Sequence, residues 1–384
     1  MTDGELARDV QRREPSERRS AVHRVAWWAV ALFVSLALPA AGQDASSQIK
    51  TQIERLQQSL KDKPVSDSNL ANLDSMIRDS LKAASEALSA GRLYVSLEKL
   101  GEGTDLLGGA RIVADKSETV KSSLPAFEAE WRKVSLDLTA RDREAAERNW
   151  NNSPVAIRAL SEAAQGKTLP LLEGGRGFAT STQPKDGLFY LGEAQGEAEF
   201  AKFCAALNLP QKAPPFPLRS LLPELRNLQE KTNTAFQPPR SIELHPRFIA
   251  LNGTLKLAQE LDAAKFYAGS LYQYLEALRH YGLLDAVPLD AAQQSALQEA
   301  VAGQQKKLKA SRRDDSIAQL FLERAESQVS HADASTPSSD DWRSAQVIVD
   351  QVLPAYFAAM KPASPIRQAS SKTIDITLVR WPYT

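Results

Sequence analysis

Four polar side chains sit at spacings that could do chemistry: Tyr94 with Glu98, and Tyr272 with Glu276. Within each pair the residues are four apart, which puts phenol and carboxylate on one face of a helix. Two carboxylates related by symmetry in a cleft could bind a cation or polarise a ligand. The competing role is structural, with each tyrosine ring packed in a core and each glutamate paired to a nearby Arg or Lys. That role is the stronger expectation, because buried polar groups are normally satisfied for packing reasons alone. Arg279, His280 and Tyr281, with the aromatic residues Phe266, Tyr267, Tyr272 and Tyr274, offer a second candidate pocket lining, although an aromatic stripe at helical spacing is more often core.

Other chemistry is poorly supplied. Beyond residue 42 the histidines are His245, His280 and His331, each isolated and without the spacing of a metal site. No nucleophile elbow, SxxK, P-loop or dinucleotide fingerprint occurs. The run Gly174, Gly175, Arg176, Gly177 lacks the strand before it and the Lys-Ser/Thr after it that a phosphate loop needs, and reads as a flexible helix end. Cys204 is the one cysteine and lies among Phe200, Phe203 and Leu207, so it reads as a buried structural residue with no base placed to activate it. These features imply no enzyme, no metal and no cofactor. With 47 basic and 47 acidic residues the chain also lacks the electrostatic footprint of a nucleic-acid binder.

The four candidate residues belong to a stretch that occurs twice. Residues 90–100 and 268–278 both read A-G-x-L-Y-x-x-L-E-x-L, and the same offset pairs Leu70 with Phe248, Leu73 with Leu251, Ile77 with Leu255 and Leu88 with Phe266. The match implies an internal duplication. Leu169-Pro170 and Leu353-Pro354, six residues out of that register, read as matching helix ends. Ala, Leu, Glu, Gln, Lys and Arg dominate residues 46–360, a composition that favours helix throughout. The expected fold is all-α, with two related helical-bundle units and a short C-terminal β-strand. A tetratricopeptide-like solenoid is the alternative, suggested by Ala90-Gly91 and Leu191-Gly192, but no period near 34 recurs.

The expected organisation is a signal peptide over 1–42, a first helical unit over 46–209, a proline-rich connector over 210–246, a second unit over 247–361, and a linker with a strand over 362–384. Arg12, Arg13, Arg18, Arg19 and Arg24 precede an uncharged run ending in Ala40, Ala41 and Gly42, which predicts cleavage near Gln43, export to the periplasm or beyond, and no membrane span afterwards. An uncleaved anchor is the alternative. Ala90-Gly91 and Ala268-Gly269 are expected as close-contact points inside continuous long helices, the alternative being a helical hairpin in which Gly91 caps one helix and the next starts at Leu93; Leu93, Leu97, Leu271 and Leu275 are expected in the core. Gly101, Gly103, Gly108 and Gly109 read as a loose connection, and the helix beginning after Pro154 is expected to stop at Pro170. Residues 187–207 read as a helix without a counterpart in the second copy. Residues 241–245 alternate like a short strand and are expected to pair with 373–381. Two functions fit this architecture: a non-catalytic binding or scaffold protein of the cell envelope, or a carrier of a small apolar or cationic ligand between the units.

Overall fold

The computed structural model describes residues 44–64, 71–146, 149–150, 153–209, 218–330 and 338–360. The signal peptide expected over 1–42 and the strand expected over 373–381 lie outside the described residues. Every regular element among those described is helical, so the protein is all-α there. None of these helices is long and apolar enough to cross a membrane.

The chain begins with α1 (Ala45–Asp62), where the Asp44 carboxylate accepts the Ser47 N–H at 2.7 Å and stabilises the free helix end. Its buried residues Ile49, Ile53, Leu56 and Leu60 recur at three- and four-residue spacing. Then come α2 (Ala71–Ser89), α3 (Leu93–Val120), α4 (Leu124–Ala146) and α5 (Val155–Ser181), a 3-10 turn (Pro184–Gly187), and α6 (Leu188–Ala206). The later part holds α7 (Leu222–Ala235), the single turn α8 (Arg240–Glu243), α9 (His245–Ala263), α10 (Tyr267–Gly282), α11 (Ala291–Ala310) and α12 (Ser316–Val329). It ends with α13 (Ser339–Val347), which runs through a π-turn (Ile348–Val352) into α14 (Leu353–Ala359). Pro354 has no N–H to give the carbonyl of Asp350, and it sits where the π-turn ends.

Several elements differ from the sequence expectation. Gly91 is not inside a helix: with φ +75° it ends α2, and α3 starts two residues later. The second long helix is broken as well, at Lys265, which adopts φ +64°. The two reversals close in the same way. The N–H of Arg92 reaches the carbonyl of Ala87, and that of Phe266 reaches Leu261, the six-to-one bond of a helix stop. Ser96 then donates its hydroxyl to the Ala84 carbonyl at 2.8 Å, and Ser270 donates to Ala258 at 3.0 Å. These structural matches fall one helical turn out of register with the A-G-x-L-Y repeat. Tyr94 is therefore the second residue of α3, whereas Tyr272 is the sixth of α10.

Residues 241–243 end α8, Leu244 turns the chain and His245 starts α9, so no strand partner exists there. Pro170 lies inside α5, and Pro354 lies in α14, so the two Leu-Pro pairs do not close equivalent helices. Gly174, Gly175 and Gly177 also lie within α5.

The glycines read as a loose connection are instead interior to α3, and one of them, Gly108, lets it meet α6 backbone to backbone. A Cβ on Gly108 would stand 2.3 Å from the Gly192 carbonyl oxygen, and one on Gly192 would stand 2.2 Å from that of Gly108. No real Cβ tolerates such a distance, so glycine is required at this crossing. Gly192→Ala is expected to destabilise the protein by about 1–3 kcal/mol through forced separation of the helices. Gly253, interior to α9 with open space around its Cα, supplies the control: Gly253→Ala is expected to stabilise by about 0.4–1 kcal/mol. Urea unfolding of both variants checks the pair of signs.

One large apolar core joins both parts of the chain. Leu97, Leu271 and Leu275 are buried in it beside Phe248, Phe321 and Tyr356, and Cys204 is also enclosed there, while Leu93 is half-buried at its edge. A second, smaller cluster gathers Phe127, Val134, Leu138, Leu172, Leu188 and Leu191 where α4, α5 and α6 meet.

Candidate functional site

Three of the four candidate residues converge. Arg324, the ninth residue of α12, places its guanidinium between Glu98 of α3 and Glu276 of α10, bonding one Nη to each carboxylate. Tyr272, one turn before Glu276, donates its hydroxyl to Glu98 Oε1 at 2.5 Å. The other oxygen of Glu276 accepts Arg279 Nε at 3.0 Å. The group is enclosed: the side chains of Arg324, Glu98 and Glu276 are 14%, 12% and 9% exposed.

Two carboxylates face two guanidiniums here, so the cluster is charge-balanced without any ligand. Burial by itself would raise Glu276, but Arg324 and then Arg279 outweigh it and hold the carboxyl down at about 2. Burial, followed by Glu98 and Glu276, keeps the Tyr272 phenol protonated far above its ordinary range. Arg324 is held charged by Glu276 and Glu98 against the cost of burial, and its guanidinium also lies 5.2 Å from the centre of the Phe321 ring. His280 beside Arg279 is pushed down to about 4 by burial and then by that guanidinium, so it is neutral at pH 7.

Tyr94 does not join this group. Its ring lies toward Asp314, Ser316 and Glu323, and burial followed by the first and last of these raises its phenol. Glu323 belongs to a second arrangement that the repeat motif did not reveal. Its Oε2 accepts the free N–H groups of Tyr94 and Val95 at the start of α3, at 2.9 and 3.2 Å. Glu162 of α5 does the same for α10, accepting the N–H of Gly269 at 2.8 Å. Each glutamate is the eighth residue of its helix, and each caps a helix from the other part of the chain. Asp314 and Ser316 add a third tie, taking the N–H groups of Val155 and Ala156 at 2.7 and 2.9 Å.

Sequence reasoning missed Arg324, Glu162 and Glu323. The available signal was a Glu-Arg pair inside the apolar run from Ile317 to Ala325, and a lone Glu162 among alanines. A charged group on the buried side of an amphipathic helix implies a partner elsewhere, but spacing cannot say which. Among the described residues no group of three or more His, Cys, Asp or Glu is arranged to hold a metal ion. Comparison with protein families, with curated proteins and with solved structures finds no match to this chain.

Proposed function

We propose that this chain is a non-catalytic binding or scaffold protein of the cell envelope, exported behind residues 1–42 and built by duplication of one helical unit. The observation that carries the non-catalytic reading is the neutralisation of Glu98 and Glu276 by Arg324 and Arg279. Side chains that could have polarised a ligand are instead engaged with one another across the junction of the two parts. In the duplication, α1, α2, α3, α4, α5 and α6 correspond to α7, α9, α10, α11, α12 and the α13–α14 helix. What supports it is the shared stop at Gly91 and Lys265, the shared hydroxyl bond of Ser96 and Ser270, and the reciprocal caps of Glu162 and Glu323. On this correspondence α6 does have a counterpart.

Export rests on the arginine-rich start, the apolar run and the small residues at 40–42. Native mass spectrometry of the protein purified from the envelope of its own cells tests the reading. A chain beginning near Gln43 in a stoichiometric complex with a second protein is the expected result. A full-length chain recovered from the cytosolic fraction, or a bare monomer carrying a small-molecule adduct, would contradict it.

A further inference from the structure

The end of α11 and its link to α12 gather positive charge, in a chain whose 47 basic and 47 acidic residues cancel as a whole. Lys306, Lys307, Lys309, Arg312 and Arg313 lie close together in the sequence, and all are exposed. At about 100° per residue the three lysines point away from Leu297 and Val301, the residues that α11 buries. The two arginines project from a pinned turn. The Ser311 hydroxyl accepts the Arg313 N–H at 3.2 Å and donates to Asp315, while Asp314 accepts the Ser316 N–H at 3.0 Å. The acids nearby are engaged or distant. Asp314 and Asp315 are buried, the first tied to Val155 and the second taking the Tyr356 hydroxyl at 3.1 Å. Asp315 also lies 3.9 Å from Arg313. Glu326 of α12 takes the Gln305 carboxamide, and Glu299, the one acid of α11, stands about 10 Å before Lys306. Lys306, Lys307, Lys309 and Arg312 therefore make no ion pair among the described residues. Cations in a last helical turn offset the macrodipole, which accounts for Lys307 and Lys309 but not for two arginines beyond the helix end.

Clustered, unpaired and exposed cations are complementary to a dense array of phosphates. We propose that the corner between α11 and α12 docks the protein on an anionic phospholipid surface, the five side chains reaching lipid phosphates from outside the bilayer. A nucleic acid fits the corner less well. Residues 301–316 contain no aromatic side chain on which a base could stack. The balance of charge over the rest of the chain confines the attraction to about a Debye length, ~8 Å at physiological salt, which suits a surface that the corner touches directly. The proposal uses neither the duplication nor the export signal, so it stands or falls separately from the scaffold reading.

Co-sedimentation of the purified protein with vesicles of phosphatidylcholine, alone or with about 30% phosphatidylglycerol, tests it. Each cation near such a surface is expected to strengthen binding about fivefold, so the anionic vesicles are preferred by on the order of a hundredfold at ~0.1 M salt. Lys306→Gln, Lys307→Gln, Lys309→Gln and Arg312→Gln together are expected to abolish that preference. A control that neutralises the exposed Lys50, Lys61, Lys82 and Lys256 in the same way keeps it. The comparison of variants also cancels any attraction from the arginines of residues 1–42. Melting temperatures establish that both variants are folded, and the salt dependence of the unaltered protein tests the charge reading without them. Equal binding to the two kinds of vesicle, a preference that survives in the first variant or is lost equally in the control, or an affinity unchanged between ~0.1 and ~0.5 M salt would overturn the proposal. Equally tight binding of a short DNA duplex would also overturn it, by showing a general polyanion site.

Discussion

Replacing Arg324 with methionine lowers the free energy of unfolding by about 3–5 kcal/mol. Removing one partner of a buried ion pair leaves the others charged in a poorly solvated place, and here two carboxylates depend on the one guanidinium. Methionine keeps much of the aliphatic length, so loss of packing contributes little to the difference. Glu276 retains Arg279, at 3.0 Å, whereas among the described residues Glu98 retains the Tyr272 hydroxyl alone. The larger part of the loss therefore falls on Glu98. Urea unfolding followed by circular dichroism measures it, and a change below about 1 kcal/mol, the size of an exposed ion pair, would show that the cluster is solvated and mechanically idle.

Stability is also expected to fall as pH rises above neutrality, by on the order of 2 kcal/mol between pH 6.5 and 9. The cause is the close approach of α3 and α6. A Cβ on Gly196 would stand 2.5 Å from the Asp105 Cα, so Asp105 lies against the turn of α6 that carries Glu193 and Glu197. One cation, Lys167 of α5, serves this acidic group and bonds Glu197 at 2.6 Å. Burial and then Glu197 push Asp105 from 3.8 up to about 8 against the pull of Lys167. The same two causes take Glu193 from 4.5 to about 7.

A carboxyl whose folded pKa is raised holds a proton that the unfolded chain has already released. Its contribution to stability is complete below the unfolded pKa, near 4, and is lost as pH rises through 7 and 8. Glu323, pushed up to about 7 mainly by burial, acts in the same direction. His280 works the other way, but its contribution changes only as pH falls from 6.5 toward 4, outside the window. Asp105→Asn keeps the side-chain shape, removes most of the slope and raises stability at pH 9. Unfolding curves at pH 6.5 and 9 check both statements, and a flat profile for the unaltered protein would refute them.

Much of the architecture was legible because amphipathic helices announce their buried faces. Ile49, Ile53, Leu56 and Leu60 are a stripe in the sequence and a stripe in the core. The register of the proposed duplication was not legible, for a reason built into helices. A shift of four residues returns a side chain to nearly the same face, so the A-G-x-L-Y motif matches well while sitting one turn from the correspondence proposed above. Glycine misled in the opposite sense. Gly108 and Gly109 look like a break, yet inside α3 they create room for the backbone of α6 and the ring of Phe189. Glu98 and Glu276 could be singled out by their repetition. Arg324 could not, since it lies outside the repeat and its two partners come from helices distant in the chain.

A double-mutant cycle tests most directly whether Glu98 and Glu276 serve to be joined by Arg324 rather than to meet a ligand. Glu98→Gln should destabilise the unaltered protein, because it removes a charge that Arg324 engages. In the Arg324→Met background the same substitution should instead stabilise, because it relieves a buried carboxylate left without its cation. Such a reversal of sign, with a coupling energy above about 2 kcal/mol in urea unfolding, is the result this account predicts. Equal effects of Glu98→Gln in the two backgrounds would contradict it.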